Sequence, residues 1–133
     1  MNKLLISLGS NENPDTNMSL CRSLLSDIFD YIRFSETSVT SPYGENYSKD
    51  FLNQLVYAIT EEEQDKIYQN LKAIERKIGR LPADKNNGVV KIDIDLIKWN
   101  DSIMKEDEWD RDYIALLLPS LEKVIIDSVH DQR

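Results

Sequence analysis

The chain has 133 residues, with 16 Lys and Arg against 24 Asp and Glu, a net charge of −8, one Cys and one His. That length suits a single domain over residues 1–133, able to bury roughly two thirds of its unfolded surface in one core. Cys21 alone cannot build a disulfide framework or a thiolate zinc site, and His130, close to the C-terminal end, leaves no place for Ser-His-Asp or Cys-His catalysis.

The apolar run Leu4-Leu5-Ile6 is far short of a signal peptide or a membrane span, so the expected setting is the reducing cytoplasm, without a membrane. An acidic balance also argues against nucleic acid. The charge is uneven, however. Residues 71–98 carry seven basic side chains against four acidic ones, an excess that could hold a small anion.

In chain order, residues 3–8 read as a short buried strand ending at Gly9-Ser10-Asn11. Asn13-Pro14 then opens a helix whose apolar stripe is Met18, Cys21, Leu25, Ile28 and Ile32. Residues 34–40, rich in Ser and Thr, form a second strand, and a turn-rich loop over 41–50 follows. Residues 51–59 give the best strand pattern in the chain. Thr60 and Glu63 stand at capping-box spacing ahead of a helix with the stripe Ile67, Leu71, Ile74 and Ile78, stopped by Gly79.

A polar loop over 80–88 leads into a strand over 89–99. The tail is helical from Tyr113, with Pro119 opening a second short helix. Strand, helix, strand, strand, helix, strand is the α+β ferredoxin-like βαββαβ sandwich. The extra C-terminal helices cover the free sheet face and make three αβα layers.

Three features could carry chemistry. In Lys91-Ile92-Asp93-Ile94-Asp95-Leu96, strand alternation puts Ile92, Ile94 and Leu96 on one face and Lys91, Asp93 and Asp95 on the other. Two carboxylates roughly 6–7 Å apart on one face could hold magnesium between hard oxygen ligands. They could equally form a solvated strand face, and the spacing alone leaves both open. Next, Arg80 and Lys85 lie in a glycine-bounded loop just upstream, which is either a phosphate-binding loop or an ordinary charged surface loop. Last, Asn53 sits in mid-strand near Phe51 and Tyr43. An amide that donates and accepts matches the edge of a fused pyrimidine ring and an aromatic its face, while a turn beside a core aromatic would look the same.

Leu8-Gly9-Ser10-Asn11, Thr40-Ser41-Pro42-Tyr43-Gly44, Phe51-Leu52-Asn53, Glu75 with Gly79-Arg80, and Asp93-Ile94-Asp95 occur in one order along the chain. In order and spacing they resemble the 6-hydroxymethyl-7,8-dihydropterin pyrophosphokinase family, over nearly all of the chain up to Asn100. The resemblance implies a ferredoxin-like αβα fold and transfer of a pyrophosphoryl group from ATP to a pterin hydroxymethyl oxygen in folate biosynthesis. Its implied catalytic residues are Arg80, Asp93 and Asp95, with Asp93 and Asp95 holding two Mg2+ ions. Lys72, Arg80, Lys85 and Lys91 would face the nucleotide phosphates, with Leu96 near the adenine. Gly9, Thr40, Pro42, Tyr43, Phe51 and Asn53 would bind the pterin.

The chain also departs from the family. The Trp-Gly-Pro-Arg run before the Asp pair is Asn87-Gly88-Val89-Val90 here, a second arginine beyond Arg80 is Pro82, and the Pro-His element is absent. The later arginine and the pterin-stacking aromatic of the family are expected at about Tyr113 and Ala115. The alternative to an enzyme is therefore a pterin- or nucleotide-binding protein without transfer activity. A third reading, an interaction module, rests on the acidic stretch 101–112. The expected assembly is a monomer or weak homodimer.

Overall fold

The structure, a computed structural model, describes residues 1–42 and 49–131, and of Lys85 and residues 127–131 the backbone alone. Its elements are β1 (Asn2–Ser10), α1 (Pro14–Ile28), β2 (Tyr31–Thr40), β3 (Phe51–Thr60), α2 (Gln64–Ile78), a 3-10 turn (Pro82–Asn87), β4 (Asp93–Trp99), β5 (Ser102–Ile103), α3 (Glu106–Trp109) and α4 (Asp112–Asp131). The strands form one sheet in the order β2-β3-β1-β4-β5, every pair antiparallel. This is the expected ferredoxin-like arrangement, with β5 added at one edge.

Alternation along the strands divides the core into two layers. On the inner face, Leu4, Ile6 and Leu8 of β1, Val56 and Ala58 of β3, and Ile92, Ile94 and Leu96 pack with Met18, Cys21 and Leu25 of α1 and Ile67, Leu71 and Ile74 of α2. On the outer face, Leu5, Leu55 and Ile97 meet Tyr113, Ile114, Leu117 and Leu121 of α4. The C-terminal helix thus supplies the third layer. A bulge interrupts the pattern: Leu5 pairs with Lys98 and Ile6 with Leu96, leaving Ile97 as the extra residue of β4.

Several boundaries differ from the sequence pattern, each for a local reason. Ile32 belongs to β2 rather than to α1, because the chain turns extended at Phe29, which enters the core while Ile28 stays on the surface. Thr60 completes β3 instead of capping α2. Its Oγ1 accepts from the Glu62 N–H, and Glu63 stands at the helix N-cap without a side-chain bond. Gly79 does end α2, at φ 113°, as its freedom in the left-handed region allows.

The strand expected from residue 89 starts at Asp93, and residues 82–87 of the expected loop wind into a 3-10 turn. Pro119 lies inside α4 rather than starting another helix, on the exposed side where the backbone carbonyl it leaves unpaired can be hydrated. Among the described residues, no helix is long and apolar enough to cross a membrane.

Cys21 is fully buried among core side chains, and burial pushes its thiol up to about 12. A native-state thiol assay at about pH 8 should therefore label Cys21 only at the rate of unfolding, with full labelling in denaturant. Rapid native labelling would contradict the packing of α1.

Candidate active site

α4 packs chiefly over β2 and β3 and leaves open the outer face where Gly9 of β1 lies beside Asp93 and Asp95 of β4. There the molecule has a cavity of about 480 Å³. Its floor is Gly9 of β1 with Phe51 and Asn53 of β3, and one wall is Asp93 and Asp95. Lys72 and Arg80 reach it around the sheet edge, and Lys105, Glu108, Arg111 and Tyr113 close the far side. A Cβ built on Gly9 would stand 3.6 Å from Asn53 Oδ1 and 3.9 Å from Phe51 Cδ1, so the missing side chain is part of the open volume.

Two anchors hold β4 and its approach in place. The Ser10-Asn11 pair that ends β1 binds the preceding segment: Asn11 Nδ2 donates to Gly88 O (2.9 Å), Val90 N–H to Asn11 Oδ1 (2.7 Å), and Ser10 Oγ to Lys91 O (2.6 Å). On the other side Glu75, only 5% exposed, accepts the Ile94 N–H at 2.8 Å. Lys72 and Arg80 bind the same carboxylate, at 3.2 and 2.9 Å, and also donate to the Ile94 and Ile92 carbonyls. A helix side chain and its two cations thereby satisfy a strand edge that, among the described residues, no other strand pairs at this point.

Arg80 also donates to Asp93 Oδ1 at 2.9 Å, and Lys105 Nζ to Asp95 Oδ1 at 2.9 Å. The two carboxyls lie close enough to influence each other's ionisation. Burial, then the charge of Asp93, pushes Asp95 up to about 7. For Asp93, burial acts upward but is outweighed by the Asp95 hydrogen bond and the Arg80 guanidinium, which hold it below the usual carboxylate range. Two neighbouring carboxylates repel, and a cation held between them relieves that repulsion. Hard carboxylate oxygens suit magnesium, which takes few protein ligands and completes its shell with water and phosphate. Among the described residues, Asp93 and Asp95 are not joined by a third His, Cys, Asp or Glu in a group that could hold a metal.

Gly9, Phe51, Asn53, Lys72, Arg80, Asp93 and Asp95 all line the cavity. Thr40 stands behind it: Asn53 Nδ2 donates to Thr40 Oγ1 at 2.7 Å, which leaves the amide oxygen over Gly9. Pro42 is not part of the lining, and Tyr43 lies outside the described residues, as does the Lys85 side chain. Lys91 Nζ donates to Gly79 O at 2.9 Å and pairs with Asp84, so it braces the end of α2 away from the cavity. The Leu96 side chain belongs to the inner core.

The far wall is the part that sequence reasoning misses. Residues 104–111 read as an acidic surface, yet Lys105, Glu108 and Arg111 turn into the cavity and Tyr113, not Ala115, is its aromatic. The Tyr113 hydroxyl bonds Glu108 and lies 2.8 Å from Ser7 Oγ, and burial, reinforced by Glu108, pushes its ionisation above the ordinary tyrosine range. The signal available in the sequence is Arg111 followed at two residues by an aromatic.

The family model of 7,8-dihydro-6-hydroxymethylpterin-pyrophosphokinase matches residues 5–123, from β1 well into α4. No curated protein matches the chain closely enough to count as a relative.

Two outcomes test the site's construction. Glu75→Ala should cost about 2 kcal/mol in denaturant unfolding, because the Ile94 N–H loses its acceptor. For Asp95, a folded-state pKa raised above the unfolded value favours folding at low pH and loses that contribution as pH rises through about 7. In cation-free buffer, raising the pH from about 5 to about 8 should lower the wild-type Tm relative to Asp95→Asn, which has no proton to lose.

Proposed function

Because the chain belongs to the 7,8-dihydro-6-hydroxymethylpterin-pyrophosphokinase family, whose role is in folate biosynthesis, we propose that its cavity transfers pyrophosphate from Mg-ATP to 6-hydroxymethyl-7,8-dihydropterin. The observation that carries this reading is the juxtaposition in one cavity of the Asp93–Asp95 pair, the cations Lys72 and Arg80, and the Phe51–Asn53–Gly9 floor.

In this reading the pterin lies on the floor, its ring edge met by the Asn53 amide, which Thr40 holds in orientation, and its face by Phe51 or Tyr113. Gly9 makes room for it. Asp93 and Asp95 hold Mg2+, which when bound neutralises and aligns the triphosphate. Lys72 and Arg80 are placed to meet phosphate oxygens, and the 80–88 segment with Lys85 closes over the nucleotide and excludes water. Ile94 turns its N–H and C=O to Glu75 and Lys72, so Leu96, two residues on, presents its own donor and acceptor along the same strand edge. That edge can meet a purine ring without the Leu96 side chain leaving the core. The hydroxymethyl oxygen attacks the β-phosphorus in line, and AMP departs. This reading sets the protein in the cytoplasm as a monomer or weak homodimer.

A second reading, a pterin- or nucleotide-binding protein without transfer, is favoured by one observation: Pro82 and Val90, which stand where the family carries arginines, both line the cavity. AMP release from ATP, measured with and without the pterin, separates the two. Transfer predicts pterin-dependent AMP that falls about a thousandfold in Asp95→Ala. Pterin binding without AMP supports the second reading. Gly9→Ala should fold normally, since its Cβ makes ordinary contacts, yet weaken pterin binding about tenfold by calorimetry.

A further inference from the structure

Each carboxylate of the pair has its own cation, but the two cations are held very differently. Arg80, besides Asp93, is fixed by Glu75 at 2.9 Å and the Ile92 carbonyl at 3.3 Å. Lys105 has Asp95 as its partner among the described residues, and its side chain is 49% exposed where that of Asp95 is 8% exposed. Its backbone is pinned: the neighbouring Met104 N–H donates to Ile97 O at 2.7 Å, and Lys105 O accepts from the Trp109 N–H at 2.9 Å. Only a flexible four-carbon stem separates a fixed Cα from a charge that can sweep the cavity.

The choice of partner is specific. Residues 101–112 contain six acids, yet Lys105 makes its ion pair with the inward-facing Asp95.

We propose that Lys105 is a tethered counter-ion that holds Asp95 until a divalent cation displaces it, and that the released ammonium then engages the anionic ligand arriving with that cation. The inference rests on the reading of Asp93 and Asp95 as a cation site. An ammonium and a divalent ion repel when both lie within contact of one carboxylate, so a cation on Asp95 expels Lys105. The expelled ammonium stays in the cavity, where a polyphosphate offers it a new partner. Lys105 thereby opposes the bare cation and favours the cation with its nucleotide, making the pair bind together. Arg80, held at three points, stays in place throughout.

Lys105→Gln read against wild type and Asp95→Asn tests this. Binding of manganese(II) alone is followed by the electron paramagnetic resonance signal of the free ion, and binding of a non-hydrolysable ATP analogue with magnesium by calorimetry. Lys105→Gln should bind manganese about fivefold more tightly and the magnesium–nucleotide complex about fivefold more weakly. A merely structural ion pair would not split the two affinities in opposite directions. If either half of that split is missing while Asp95→Asn abolishes manganese binding, the tethered counter-ion is overturned and the cation site stands. If Asp95→Asn binds manganese as wild type does, the cation site falls and this inference with it.

Discussion

The outer edge of β4 would bring unpaired backbone groups into a buried place if Glu75 did not reach it. β5 pairs with Lys98 and Trp99, so among the described residues the stretch around Ile94 has no strand beyond it. One carboxylate on α2 accepts its N–H, and the cations drawn to that carboxylate donate to its carbonyls. A buried charge is tolerable only when paired and hydrogen-bonded, and here the pairing serves the cavity as well. The two cations that bind Glu75 are the two that reach the cavity. Closing the strand edge and making the cavity basic are thus one solution to one electrostatic problem.

The division of labour between the sheet faces follows from alternation. Odd-numbered Ser7, Gly9, Asp93 and Asp95 point outward, while even-numbered Ile6, Leu8, Ile94 and Leu96 build the inner core. The cavity floor therefore has the buried inner core as its underside. Asn53 is held in the same way, from behind by Thr40, and Tyr113 by Ser7 and Glu108. Asn53 and Tyr113 are thus oriented by partners that do not need to move.

Much of this is legible without coordinates. The stripe Ile67, Leu71, Ile74 with Gly79 at its end is a strong periodic signal with a physical stop, and α2 forms there. Asp93 and Asp95 announce themselves because charge at period two within an Ile-rich strand has to face something other than the core. What escapes the sequence depends on contacts distant along the chain. Thr60 carries capping chemistry but is claimed by the ladder of β3. Pro119 looks like a helix start, yet the apolar face of α4 continues past it onto the sheet. Lys105 sits among acids that outnumber it, and only the return of the chain after β5 shows that it points at Asp95. Lys91 reads as one more phosphate ligand but is spent at the C-terminal end of α2.

The extra residue at Ile97 insulates the two halves of β4 from each other. Ahead of it the outward positions are the carboxylates; beyond it the phase shifts, so Lys98 faces out over the Trp109 ring and Trp99 turns inward. The hairpin to β5, with Asn100 left-handed at its turn, hangs from the shifted half. Insertions and deletions in the segment after Trp99 can therefore accumulate over evolution without changing which way Asp93 and Asp95 point. The same boundary marks where a designer could graft a new cavity wall that keeps Lys105 without re-aiming the carboxylate pair.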